Sequence, residues 1–248
     1  MKLQQFKLLK NNITVKGEVE GNEKSGKVII FSHGFGVTRS SHGMFNEIGD
    51  VLKDKYIVVR FDYTIINKKE NWTKAFPCSI QKKMLQAVYD YIQKEFKPKN
   101  VNIIAHSMGC FIAGMARLKN IDKVFLLAPP TSSPYIRMKE YFSKRPETRI
   151  NEEGSSRIKR SDGSITIIEK EVWNEMKTVN PYKLYSDLAK ENSVYIIRAL
   201  ADQVITGESY EKVKTIKDLK YIEINGNHDF EGKARKILIE KIKSIFEE

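Results

Sequence analysis

Residues 101–119 read VNIIAHSMGCFIAGMARLK, and the reading of this stretch decides the fold. Positions 101–105 are almost wholly apolar, the pattern of a strand buried on both faces. Positions 110–118 read as a helix, and His106-Ser107-Met108-Gly109 lies between the two. A serine at the sharp turn from a strand into a helix is lifted off the sheet edge, the arrangement of a nucleophile elbow. Small residues two before and two after the serine keep such a turn from clashing. Here they are Ala105 and Gly109, so the pattern is A-x-S-x-G, with alanine where glycine is commoner.

Outward from this stretch the chain alternates strands and helices. Short runs at 6–9 and 13–19, separated by Asn11-Asn12, predict a hairpin at one sheet edge. Strands are expected at 28–31, 56–61, 101–105, 123–127, 194–198 and 221–224. Helices are expected at 42–52 (Met44, Phe45, Ile48, Val51 and Leu52 inward), from a Ser79 cap to near Pro98, at 209–216, and at 232–246 with Ile237 among its inward residues. Residues 64–76 are polar and aperiodic and read as a surface loop. The whole predicts an α/β fold: a doubly wound, mostly parallel eight-stranded sheet spanning residues 1–248. Residues 131–185 interrupt the alternation with a turn at 160–164, a strand at 165–168 and a short helix near 182–188. A structureless loop of that length is unusual, so the stretch reads as an inserted lid or cap subdomain.

In a parallel sheet the carboxyl ends of the strands share one edge, where ligands bind. Ser107, Asp202 and His228 each follow a predicted strand and so converge there. A serine hydroxyl attacks only when a histidine takes its proton, and that histidine needs a carboxylate to fix its tautomer. Asp229 adjoins His228 and is poorly placed to reach its ring, and Asp62 precedes the serine in the chain; Asp202 is the preferred acid. The intermediate oxyanion needs two backbone N–H donors, assigned to Met108 and to Phe35 in the turn His33-Gly34-Phe35-Gly36. His33, Gly34 and His106 read as residues that support this set rather than as the base.

Composition sets the outer limits. Apolar residues make up 41% and charged residues 30%, with a formal net charge of +12. The positive residues are dispersed and match no nucleic-acid motif, so no nucleic-acid partner is expected. No apolar run is long enough to span a membrane. The start MKLQQFKLLKNN lacks a signal-peptide core, and a cytoplasmic location is the expectation. Basic residues in the insertion, among them Arg137, Arg145, Arg149 and Arg160, leave weak contact with an anionic surface open, although acidic residues are interspersed. Cys78 and Cys110 are too few and too far apart for a zinc site or a disulfide framework, and no metal or cofactor is required.

The HGFG turn after the third strand, AHSMG at the elbow, Ala201-Asp202 and the GNHDF run near the end together resemble the α/β-hydrolase fold family, over nearly the whole chain. HGFG is similar to the oxyanion turn of carboxylesterases and monoacylglycerol lipases. The place and size of the insertion resemble the short lid of bacterial cinnamoyl and feruloyl esterases. Asp62-Tyr63-Thr64-Ile65 departs from the Gly-His-Gly-x-Ser run that often follows this strand in such enzymes. The resemblance implies a serine carboxylesterase acting on small to medium acyl or aryl esters through an acyl-enzyme. Thioesterase, lipase, amidase or peptidase chemistry with the same triad, and a non-catalytic binding protein of the same fold, are the alternatives. The sequence is silent on oligomeric state.

Overall fold

Val28 and Ile30 alternate with Ile29 and Phe31, and all four are buried, one pair under each layer of helices. That alternation recurs through the centre of the sheet and makes its strands read as unbroken apolar runs. The computed structural model describes residues 1–10, 12–160, 162–206 and 210–248. Asn11, Ser161 and Ser209 lie outside the described residues, and with them the expected turns at 11–12 and 160–164 and the expected start of the helix at 209.

The chain opens with β1 (Gln4–Lys10), β2 (Ile13–Gly21), β3 (Lys27–Ser32) and β4 (Ile57–Phe61), followed by two short strands, β5 (Thr64–Asn67) and β6 (Trp72–Ala75). Next come β7 (Asn100–His106) and β8 (Ile121–Leu127), then β9 (Ser155–Lys159) and β10 (Ile165–Glu169), then β11 (Ser193–Ala199) and β12 (Lys220–Ile224). The helices are α1 (Met44–Leu52), α2 (Cys78–Phe96), α3 (Met108–Ala116), α4 (Pro134–Ser143), α5 (Lys170–Thr178), α6 (Pro181–Glu191), α7 (Glu211–Lys214) and α8 (Lys233–Glu247). The main sheet has 8 strands in the order β1-β2-β4-β3-β7-β8-β11-β12. β2 runs antiparallel to both its neighbours, and every other pair is parallel. Helices α1 and α8 cover one face, and α2, α3 and α6 cover the other. This is the α/β-hydrolase topology, with an insertion between β8 and α6. Among the described residues no helix is long and apolar enough to cross a membrane.

The structure corrects the expectation at four points. Residues 64–76 are not a loop: β5 and β6 form a hairpin, and β6 pairs in parallel with β10, Trp72 opposite Ile165. Ser79 does not cap α2, which begins one residue earlier, after Pro77. Instead Glu175 of α5 accepts from the Ser79 N–H at 2.8 Å and from its hydroxyl, placing a carboxylate at the positive end of α2. Val51 and Ile237 were expected to face inward but are 43% and 54% exposed. At 100° per residue each falls on the flank of an arc centred elsewhere, on Ile48 and Leu52 in α1 and on Leu238 and Ile242 in α8.

The insertion is more ordered than expected, with α4, β9, β10 and α5 all preceding α6. Phe142, Ile158, Ile168, Val172, Trp173 and Met176 are buried beneath it. Trp173 spends its indole N–H on Ser156 Oγ at 2.9 Å, so a large aromatic is buried with no polar atom orphaned. The buried apolar side chains of the insertion join the core that lies under α2 and α3. The sheet β5-β6-β10-β9 and the Glu175 contact fix it to the main body at two places.

Candidate functional site

The backbone bonding of the sheet continues past the strand ends and places the loops. Ser107 N–H donates to Leu127 O at 2.9 Å, and Ala128 N–H to Ile197 O at 2.8 Å. Leu200 N–H reaches Ile224 O and Ala201 N–H reaches Gly226 O, both at 2.9 Å. These last two bonds tie the loop carrying Asp202 to the loop carrying His228. Ser107 itself has φ 53° and ψ −123°, a conformation that non-glycine residues adopt at a cost of about 1–3 kcal/mol and that clusters at functional sites.

Gly109 makes that turn possible. A Cβ there would stand 2.1 Å from Ser32 O and 2.7 Å from His33 O, both rigid backbone atoms at the end of β3. Gly109→Ala is therefore expected to destabilise the protein by about 3 kcal/mol or more, read as a fall in the urea midpoint at unchanged slope. A loss below about 1 kcal/mol would mean that β3 and α3 separate easily here.

Asp202 and His228 meet closely. His228 Nδ1 lies 2.7 Å from Asp202 Oδ2, with the side chains only 8% and 7% exposed. The other carboxylate oxygen, Oδ1, accepts from the N–H groups of Val204 and Ile205, each at 2.8 Å. The carboxylate is thus held in one orientation, and Nδ1–H is the donor in the pair. The rival acids are engaged elsewhere. Asp229 Oδ1 is 4.0 Å from His106, and Asp62 is gripped by Arg39 through a backbone N–H at 2.8 Å and through Nε at 2.9 Å. Ser107 Oγ makes no hydrogen bond to the His228 ring, but the two residues open onto the same cavity.

The turn 33–36 lies against the serine. A Cβ on Gly34 would be 3.1 Å from Ser107 Cβ and 3.6 Å from its Oγ. Neither the Phe35 nor the Met108 amide donates to another group among the described residues, and both residues line the cavity. His33 fixes this turn from beneath: its Nε2 accepts from Tyr63 N–H at 2.8 Å, so Nδ1–H donates to Gly34 O, also at 2.8 Å. Ser32 Oγ donates to Gly109 O at 3.0 Å and takes the Tyr63 hydroxyl at 2.9 Å. Tyr63, immediately after β4, is thus the peg on which the turn hangs. The sequence signals it only as the residue standing where related motifs differ.

His106 supports the other side. Its Nε2–H donates to the His228 carbonyl at 3.0 Å, and its Nδ1 accepts from Ser41 Oγ at 3.0 Å. Arg235 Nη2 holds the next carbonyl, Asp229 O, at 2.7 Å. The loop that presents His228 is therefore pinned at consecutive peptides. Ser41 escapes sequence reading because its partner is 65 positions away.

Burial holds both His33 and His106 below the ordinary histidine value of 6.5, with the neighbouring His228 adding to the effect at His106. Each takes up its proton less readily in the folded protein than in the unfolded chain, so the unfolded state binds more protons as pH falls through 6.5. Stability is full well above that value and falls as pH drops through it, with His106, the more strongly lowered of the two, contributing more. Urea unfolding is expected to show stability declining as pH falls below 6.5. His106→Gln should lower stability at neutral pH and make the slope of that decline shallower. An unchanged slope would mean that His106 is charged in the folded protein.

The cavity has a volume of about 440 Å³. Its floor is formed by Gly34, Phe35, Ser107, Met108 and His228, and its roof by Met138, Tyr141 and Phe142 of α4 with Arg145 and Arg160 beyond. Phe142 meets Phe35 with ring centres 5.6 Å apart, so α4 rests directly on the turn 33–36. The arrangement can present a nucleophile, a proton acceptor and two amide donors to one bound group under a partly apolar roof.

Residues 11–130 match a family described as "Alpha/beta hydrolase of unknown function (DUF900)", just under half of the chain. No curated protein matches. Among solved structures, the chain is similar to Est1E from Butyrivibrio proteoclasticus with ferulic acid bound, at 17% identity and a TM-score of 0.77, over 97% of each chain. It is also similar to the Pyrococcus furiosus esterase Pf2001, at 16% identity and a TM-score of 0.72, over 99% of this chain and 90% of that one. A third is the esterase domain of a Rhodothermus marinus protein, at 14% identity and a TM-score of 0.71, over 99% and 98% of the two chains. At such identities these likenesses establish the α/β-hydrolase fold.

Proposed function

We propose that the protein is a serine hydrolase of carboxylic esters, with residues 131–185 acting as a lid over the acyl or aryl pocket. The observation that carries this reading is one cavity onto which open a strained serine, a histidine held by a carboxylate, and two amides with no partner among the described residues. Ser107 Oγ attacks the ester carbonyl while its proton passes to His228 Nε2. The oxyanion that forms is held by the N–H groups of Phe35 and Met108, each such donor contributing about 3 kcal/mol. His228 returns the proton to the departing alkoxide, leaving an acyl-Ser107. Water then attacks with His228 again as base, and the acid is released as the serine regains its proton. Asp202 keeps Nδ1 protonated throughout, so that Nε2 is the free base.

The likeness to structures titled as esterases, one of them holding ferulic acid, agrees with this assignment. The test is hydrolysis of p-nitrophenyl esters from acetate to palmitate. Turnover is expected at short to medium chain lengths, with a decline where the acyl chain outgrows the cavity. No turnover of any ester by the native protein would reject the ester reading and direct the search to thioesters and amides.

A further inference from the structure

The roof of the cavity carries two guanidiniums that form no salt bridge among the described residues, Asp162 and Asp229 acting on Arg160 only from a distance. Arg160 follows β9 and turns inward over the far end of the turn 33–36. Its Nη1 lies 3.3 Å from the place where a Cβ on Gly36 would sit, and Gly36, at φ +65°, leaves that space clear. A guanidinium has five donors and keeps its charge at any ordinary pH. Among the described residues the Arg160 side chain makes neither a salt bridge nor a hydrogen bond, although the residue is half-buried. Arg145 stands in the same roof. It is held by neutral groups only: Nη2 donates to Tyr141 Oη, Nη1 reaches Lys159 O at 3.4 Å, and its guanidinium lies 4.7 Å from the Tyr141 ring centre.

Two guanidiniums facing one half-enclosed space repel one another, and burial adds to the cost. Both effects draw the Arg160 guanidinium below its usual range, burial more than Arg145. Asp229 and Glu231 also border the cavity, but neither comes within 4.0 Å of either arginine, and Glu231 is engaged by Asn227 Nδ2 at 2.6 Å. Elsewhere in the insertion several lysines find carboxylates: Lys139 and Lys177 on Glu152, Lys170 on Glu153, and Lys159 on Glu147. Lys144, Arg149 and Arg157 also lack a carboxylate partner among the described residues but lie exposed to water, so Arg145 and Arg160 are set apart by being unpaired while half-buried at the cavity. A net charge of +12 would also draw anions toward it.

We infer that Arg160, backed by Arg145, forms an anion subsite within the cavity, and that the substrate is an ester bearing a carboxylate or phosphate group away from the scissile carbonyl. That the ligand is an ester substrate rests on the ester-hydrolase reading; the anion subsite does not.

The test has a catalytic and a binding readout on the native protein, Arg160→Gln and Arg160→Lys. The catalytic readout is the ratio of kcat/KM for p-nitrophenyl hemiglutarate to that for p-nitrophenyl valerate, esters of similar length that differ in a terminal carboxylate. The native ratio is expected to exceed that of Arg160→Gln by roughly 10- to 100-fold, the worth of a charge-assisted hydrogen bond, with Arg160→Lys between them. High salt should shrink the native ratio toward that of Arg160→Gln. The binding readout is calorimetric titration with glutarate and, separately, with inorganic phosphate. The tighter of the two identifies a carboxylate or a phosphate as the recognised group, and its affinity should fall about tenfold or more in Arg160→Gln. If the native protein cleaves neither ester yet binds either anion through Arg160, the subsite stands and the ester reading fails. Anion binding and a substrate ratio that are both the same in native protein and Arg160→Gln would overturn the inference and leave Arg160 a packing residue.

Discussion

Ser107→Ala is expected to lower turnover of p-nitrophenyl butyrate by about a millionfold, leaving only the small residual rate that bound-state geometry and the amide donors provide. The loss should fall on kcat, because the hydroxyl contributes little to holding the ester. Stability should hardly change, since alanine keeps the Cβ and with it the strain at φ 53°. Ser107→Gly separates the two roles. Removing the Cβ relieves about 1–3 kcal/mol of strain. The greater freedom of the unfolded chain takes back about 0.4–1 kcal/mol of that. The glycine variant should therefore be as inactive as the alanine variant yet more stable by about 1 kcal/mol, with a higher urea midpoint. This is the signature of a backbone held in tension for a purpose, where the native residue is poorer for stability than its replacement. Equal turnover in native protein and Ser107→Ala would remove the serine from the chemistry. A glycine variant less stable than native would mean that the elbow is not strained.

What the sequence discloses and what it conceals divide along physical lines. The central strands are legible because burial on both faces writes them as unbroken apolar runs, as in β3, β7 and β8. Ser107 stands out because the demands of its turn are local: a small residue before, Gly109 after, a helix beginning at Met108. The encounter of Asp202 with His228 follows from parallel pairing alone, since β11 and β12 are neighbours and their trailing loops share bonds. The pairing of β6 with β10 is a different case. Trp72-Thr73-Lys74 carries no apolar alternation, and its partner strand is 93 residues away at the Thr73–Thr166 contact. Nothing within a window of ordinary size could reveal it. Charge patterning is incomplete in the insertion for a related reason. Its basic residues leave weak contact with an anionic surface open, with acids among them, and the fold sorts them further, pairing several lysines outside and turning Arg145 and Arg160 inward. The supporting roles of Ser41, whose hydroxyl reaches His106, and of Tyr63, whose backbone N–H reaches His33, are equally hidden, because a single polar contact from a distant loop leaves no periodic trace.

Asp202→Asn is expected to cut kcat about ten-thousandfold while leaving the fold intact, and the hydrogen bonds around the residue dictate why. Asp202 Oδ1 is committed to two backbone donors, the N–H groups of Val204 and Ile205, both at 2.8 Å. An asparagine must keep its carbonyl oxygen toward those donors, since turning its NH2 to them would leave both amides unpaired. Its NH2 then faces His228 Nδ1, the position now 2.7 Å from Oδ2. Two donors cannot meet, so the imidazole gives up the Nδ1 proton and carries it on Nε2 instead. In that tautomer Nε2 cannot accept the serine proton, and the nucleophile stays a plain hydroxyl. Every hydrogen bond survives with its direction reversed at one place, so the urea midpoint should stay within about 1 kcal/mol of native. Asp229→Asn is the matched control: its carboxylate lies 4.0 Å from His106 and makes no bond to the His228 ring, so kcat should stay within about tenfold of native. A kcat for Asp202→Asn as high as that of Asp229→Asn would show that proton transfer does not depend on the tautomer, and the assignment of Asp202 as the orienting acid would fall.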